Sequence, residues 1–159
     1  MQEKIILVAS DWEYDQISPL TKLKIIKTGI GGVNVIESLK DLPKSTKLIN
    51  IGYAGSTTIP VGEIVKVKNC YSYHPIVGKF EEKFYKLNGN IDCYTSGDFV
   101  TSTTITQPVV FDMELAYICA LGFTNLTSYK VVSDALNLDQ CNQANFTQSF
   151  KNIIKEIEG

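Results

Sequence analysis

The chain has 159 residues, a formal net charge of -2 and 20% charged side chains, the proportions of one soluble domain able to bury a core. The acidic balance argues against a nucleic-acid partner, and no run reaches the roughly 20 apolar residues of a membrane span. The four cysteines (70, 93, 119 and 141) form no CxxC pair and only one His accompanies them. With no signal-peptide pattern in "MQEKIILVAS", they read as reduced thiols of a cytoplasmic protein, with no disulfide, zinc site or other metal expected.

In chain order, residues 4–10 ("KIILVAS") read as a buried strand and residues 22–28 ("KLKIIKT") as a second. "GIGG" at 29–32 breaks the chain. Residues 33–42 then have helical spacing, with Val33, Ile36, Leu39 and Leu42 on the inner face, and Pro43 stops the helix. Residues 47–52 read as a strand, "AGSTTIPVG" as a loop and 63–73 as a long strand. Residues 75–90 suit a hairpin or surface excursion, with His74 a surface or turn residue. Residues 91–96 and 109–111 are two more strands, followed by a helix over about 113–121 and a strand ending in "VVSD". The closing helix, about 144–158, lines up Phe146, Phe150, Ile153, Ile154 and Ile157. This alternation predicts a single α/β domain over 1–159, with a mixed central β-sheet flanked by helices.

In such sheets ligands bind beyond the C-terminal ends of the strands. The polar groups there are Asp11 and Glu13, Gly29–Gly32, Ala54–Ser56, Ser96–Asp98, Asp112–Glu114, and Ser133 with Asp134. Each also has a plain structural reading. "TGIGG" is a tight turn or a set of N–H groups for a ligand, and Asn34 in place of glycine speaks against a dinucleotide site. Glu13 is a solvated helix-start acid or a site residue. Asp134 caps the next segment or faces the cleft. Ser96–Asp98 suits a turn. Asp112 and Glu114 flank Met113 within an apolar setting, where a carboxylate is costly without partners. Both suit a helix start, and both suit vicinal sugar hydroxyls, which a carboxylate binds with charge assistance.

Taken together, "ILVASDWEYD", "IKTGIGGVN", "INIGYAGSTTIPVGEIVKVKNCYSYH", "SGDF", "FDMELAYICALG" and "YKVVSDALN" resemble the nucleoside phosphorylase superfamily. The branch they are most similar to is the methylthioadenosine/S-adenosylhomocysteine nucleosidases. The resemblance implies a nucleoside phosphorylase-like fold, no cofactor, a small-molecule purine nucleoside as partner, and a homo-oligomer, a dimer first. It gives Glu13 the role of activating water and Asp134 that of hydrogen-bonding and protonating the purine, with Ser133 beside it. Glu114 accepts from the ribose hydroxyls, Met113 packs on the sugar with Asp112 alongside, and Ala54-Gly55 let backbone approach the ligand. The chain is shorter than typical members, and "SGDFVT" puts Phe99 one place early, so Val100 takes the purine-stacking position. It has no arginine for phosphate, which favours hydrolysis over phosphorolysis. A phosphorylase and a non-catalytic nucleoside-binding protein are the alternatives.

Overall fold

The run Ile5–Val8 offers no polar side chain to water, so the first strand is buried on both faces and pairs in parallel on either side. The computed structural model describes residues 3–74 and 79–159. The strands are β1 (Lys4–Val8), β2 (Lys24–Lys27), β3 (Lys47–Gly55), β4 (Ile64–His74), β5 (Lys79–Lys86), β6 (Ile91–Thr95), β7 (Val109–Asp112) and β8 (Asn125–Asp134). The helices are α1 (Asp11–Ile17), α2 (Gly32–Leu39), α3 (Leu115–Ala120), α4 (Leu138–Asn142) and α5 (Thr147–Glu158). The expected mixed sheet flanked by helices is what forms.

β3 is the branch point. It pairs in parallel with β1 and β8 and, at its last residue Gly55, antiparallel with Phe111 of β7. Because β8 also pairs with β4, β4 with β6, and β6 with β7, the strands β3, β8, β4, β6 and β7 close into a ring. β1 and β2 extend the sheet from β3, and β5 pairs with β4. The excursion expected over 75–90 is thus largely a hairpin. Residues 75–78 and the side chain of His74 lie outside the described residues.

Alternation along β1 and β3 supplies two cores. Ile6, Val8, Ile49 and Ile51 face α5, whose Phe150, Ile153, Ile154 and Ile157 are all buried as the helical spacing predicted. Ile5, Leu7 and Leu48 face α2 and α3. Here the predicted face of α2 is corrected. Val33 and Ile36 are 76% and 43% exposed, and the buried residues are Val35 and Leu39. α2 packs toward Ile5, Leu7, Leu48 and Ile118 through this i, i+4 pair, which leaves Val33 and Ile36 outside.

Two helices went unread. α1 begins at "SDWE", a capping box: Ser10 Oγ accepts from Glu13 N, and Glu13 Oε1 accepts from Ser10 N. α4 is a five-residue helix capped by Asn137, too short for periodicity to show. β3 also runs three residues past its predicted end, through Tyr53, Ala54 and Gly55.

Phe150 is fully buried between the sheet and α1. Phe150→Ala should lower the unfolding free energy by about 3–5 kcal/mol, measured by chemical denaturation.

Candidate active site

A cavity of about 880 Å³ opens over the C-terminal ends of β1, β2, β3, β7 and β8, with α1, α4 and Phe99 completing its walls. Of the six polar strand ends, five line it. Ser96–Asp98 does not: Asp98 N donates to Ser96 Oγ, the turn chemistry that was the plain alternative. Phe99 faces the cavity, whereas Val100 is buried and borders only a side pocket of about 20 Å³ behind Phe99 and Phe111. Of these two residues it is thus Phe99 that faces the cavity, because Val100 is drawn into the aromatic core with Tyr73, Tyr94 and Phe111.

Glu13 is buried, not solvated. Its Oε1 accepts from Ala9 N at 3.0 Å and Ser10 N at 3.1 Å, and its Oε2 accepts from Tyr53 N at 2.8 Å. The capping-box glutamate thus bridges the end of β1 to β3 and presents a fixed carboxylate to the cavity. Gly52 makes room for it, since a Cβ there would lie 2.6 Å from Glu13 Oε2.

Asp134 has the same kind of support. Its Oδ1 accepts from Leu136 N (2.9 Å) and Asn137 N (3.2 Å), and its Oδ2 accepts from Ser133 Oγ (2.5 Å). The turn forces Leu136 to a φ of 64°, the one positive φ outside glycine among the described residues, which stores strain directly beside the carboxylate. A Cβ at Gly55 would lie 2.8 Å from Asp134 Oδ1. Capping and facing the cavity are both true of Asp134.

The two acids flanking Met113 part company. Asp112 accepts from Thr95 Oγ1 at 2.5 Å and Leu115 N at 2.9 Å, and pairs with the buried Lys130 Nζ at 3.0 Å. Burial alone would push its carboxyl up, but the Lys130 charge and these donors outweigh that and hold it below the usual carboxylate range. The same carboxylate outweighs the effect of burial on Lys130 and raises its pKa. Glu114 accepts from Gly31 N at 3.0 Å and, among the described residues, pairs with no cation of its own. Burial and the Asp112 charge push its pKa up to about 8. The site therefore holds an ionised acid locked to the sheet and, next to it, an acid carrying a proton at neutral pH.

Met113, Ala54, Gly55 and Ser133 line the cavity as expected, and sequence reasoning missed Trp12, Lys27, Phe111, Cys141 and Asn142. It also passed over Lys130, which lies beneath the wall in "YKVVSD"; a lysine inside an apolar run was the signal. Among the described residues no cluster of His, Cys, Asp or Glu is arranged to hold a metal ion, and no helix is long and apolar enough to cross a membrane.

Neither a protein-family model nor a curated protein matches the sequence. Solved structures do. A Chlamydia trachomatis MTAN superposes with a TM-score of 0.82 at 16% identity, over 99% of this chain and 97% of that one. The 5′-methylthioadenosine/S-adenosyl homocysteine nucleosidase (MTAN) of Helicobacter pylori gives 0.78 at 14% identity, over 98% and 97%. The futalosine hydrolase of H. pylori gives 0.75 at 14%, over 97% and 96%. The fold is that of these hydrolases, as the sequence motifs had implied.

Removing one partner of a buried ion pair strands the other. Lys130→Met should therefore cost about 3–5 kcal/mol in denaturant unfolding, and adding Asp112→Leu should recover much of it. An additive double variant would show the pair to be uncoupled.

Proposed function

We propose that the chain is an enzyme, a purine nucleosidase that hydrolyses the N-glycosidic bond of an adenosine-type nucleoside to free base and sugar. Its substrate is then 5′-methylthioadenosine- or S-adenosylhomocysteine-like. One observation carries this reading: three carboxylates, Glu13, Glu114 and Asp134, mounted on separate strand ends, face one cavity in a nucleosidase fold. Chlamydia trachomatis structures of this fold bound to MTA and to adenine support it.

Breaking the bond passes through an oxocarbenium-like sugar, which needs a proton for the base, a base for water and negative charge near the ribose. In this reading Asp134 protonates the purine, held by Ser133 and stacked on Phe99. Glu114 accepts from the ribose hydroxyls against Met113 and beside the locked Asp112. Glu13, pinned by three backbone N–H groups, takes the proton of the attacking water. Ala54 and Gly55 bring backbone against the sugar. Phosphorolysis is disfavoured because, among the described residues, the cavity wall carries a single basic side chain, Lys27, and no arginine, and Glu13 already sits where a second anion would be repelled. The exposed apolar Ile30, Val33 and Ile36 beside the mouth support a second copy of the chain as partner. The four free thiols support a cytoplasmic setting.

The primary test is base release from methylthioadenosine, adenosine and inosine with and without phosphate. Release without phosphate is expected, and an absolute phosphate requirement would overturn hydrolysis. Glu13→Gln should cut turnover by about 10²–10⁴-fold with nucleoside binding retained.

Asp134→Asn should slow a natural purine nucleoside by about 10²–10⁴-fold, yet spare a nitrophenyl riboside, whose leaving group needs no proton. Equal losses on both would remove Asp134 from the role of acid.

Glu114 carries a proton at pH 7 in the free protein because its pKa is near 8. Ribose hydroxyls donate to the ionised form, so binding at pH 7 should release a proton. The calorimetric enthalpy should then vary with the buffer's ionisation enthalpy, and affinity should weaken below pH 8 by up to about tenfold per pH unit. A buffer-independent enthalpy would place the ribose elsewhere.

A further inference from the structure

α2 begins on two glycines that are there for different reasons. Gly31, the residue before its first turn, has a φ of 87°, a conformation that glycine adopts without strain. Gly32 opens the helix itself, where alanine would be the better helix former. A Cβ at Gly32 would lie 2.5 Å from the Tyr117 ring, so the ring occupies the space that a side chain would take. The same tyrosine extends toward the Ser96–Asp98 turn, where a Cβ at Gly97 would lie 3.9 Å from its hydroxyl.

Tyr117 and Glu114 belong to one turn of chain. Glu114 is the residue before α3, and its carbonyl accepts from Tyr117 N at 3.0 Å. One helical turn separates them, which directs both side chains to the same side. They grip the glycine pair together: Glu114 Oε2 accepts from Gly31 N at 3.0 Å, and the ring lies on Gly32. No side chain caps α2. Asn34 Nδ2 and Ser38 Oγ donate to the carbonyls of Ile30 and Thr28, which ties down the carbonyls and leaves Gly31 N to be aimed by packing. A glycine turn without that packing has the freedom to point the N–H elsewhere.

The N–H matters because of what else faces Glu114. Burial and the Asp112 charge of β7 raise its pKa, Lys130 of β8 and the Gly31 N–H lower it, and Glu13 of α1 raises it. Lys130 is paired with Asp112, so among the described residues Gly31 N is the one donor bonded to the Glu114 side chain.

We propose that Tyr117 is a positioning residue for Glu114: its ring, seated on Gly32, keeps Gly31 N on the carboxylate and so sets how readily Glu114 accepts the ribose hydroxyls. The ribose part rests on the nucleosidase reading, and the hold on the carboxylate does not.

The test titrates the Glu114 carboxyl in the free protein by carboxyl-carbon NMR of glutamate-labelled chain, with Glu114→Gln assigning the signal. Tyr117→Ala should raise its midpoint by about one pH unit, the weight of one bond to a charged group. Tyr117→Phe keeps the ring and should titrate as the wild type does. Gly32→Ala breaks the same contact from the other side, so it should also raise the midpoint, yet add nothing in the Tyr117→Ala background. Should one single variant fail to fold, the other decides. Calorimetric Kd at pH 7 reads the consequence: Tyr117→Ala should weaken methylthioadenosine by about tenfold and leave adenine, which has no ribose, unchanged. A midpoint unmoved by the substitutions, a shift in Tyr117→Phe as large as in Tyr117→Ala, additive rises in the double variant, or equal losses for nucleoside and base would overturn the inference. If the wild-type protein binds no methylthioadenosine, the nucleosidase reading falls and the titration alone decides this one.

Discussion

One ammonium with no access to water, that of Lys130, sets the electrostatics of the whole cavity floor. Asp112, Glu114 and Glu13 converge on the ends of β7, α3 and β1, and all three are buried. Like charges a few ångströms apart repel by several kcal/mol even at an effective dielectric of about 20. Lys130 resolves this by committing itself to Asp112 at 3.0 Å. That pair fixes one acid as permanently ionised and leaves Glu114 as the one whose charge follows its ligand. A floor with no lysine would have to keep protons on more of its acids, and a floor with two would cancel the negative field that the acids set up.

The acids are held by backbone as much as by charge. Glu13 takes N–H groups from Ala9, Ser10 and Tyr53, Asp134 from Leu136 and Asn137, Glu114 from Gly31 and Asp112 from Leu115. Those N–H groups belong to strand ends and the first turns after them, so their directions are set by the sheet. Such donors cost no reorganisation when charge develops on the ligand. Close approach is what β3 contributes: Gly52 and Gly55 lack the Cβ atoms that would collide with Glu13 and Asp134. The β3–β8 register also shifts between Ala54 and Gly55, where Gly55 pairs with both Asp134 of β8 and Phe111 of β7 at the edge of the cavity.

An architecture so dependent on backbone tolerates wide change in its side chains. Matches at 14–16% identity still superpose over nearly the full chain. Buried strands ask only for apolar residues of about the right size, and many sequences meet that demand.

Much of this was legible in the residues. The alternation of apolar runs with helical spacing determined a mixed α/β sheet, and "SDWE", "FDMELA" and "VVSD" carried the site acids. Glu13, Glu114 and Asp134 do meet at one cavity, and α5 buries the face its spacing predicts. Tertiary structure decided which reading of each acid holds, since a carboxylate's partners come from distant chain: Tyr53 for Glu13, Gly31 for Glu114, Lys130 for Asp112. It decided the face of α2, because periodicity finds an apolar stripe but not what the stripe meets, and it moved the cavity wall from Val100 to Phe99 by packing. Spacing along a chain encodes local geometry; charge pairing and packing depend on which strands become neighbours, and that is settled only when the sheet closes.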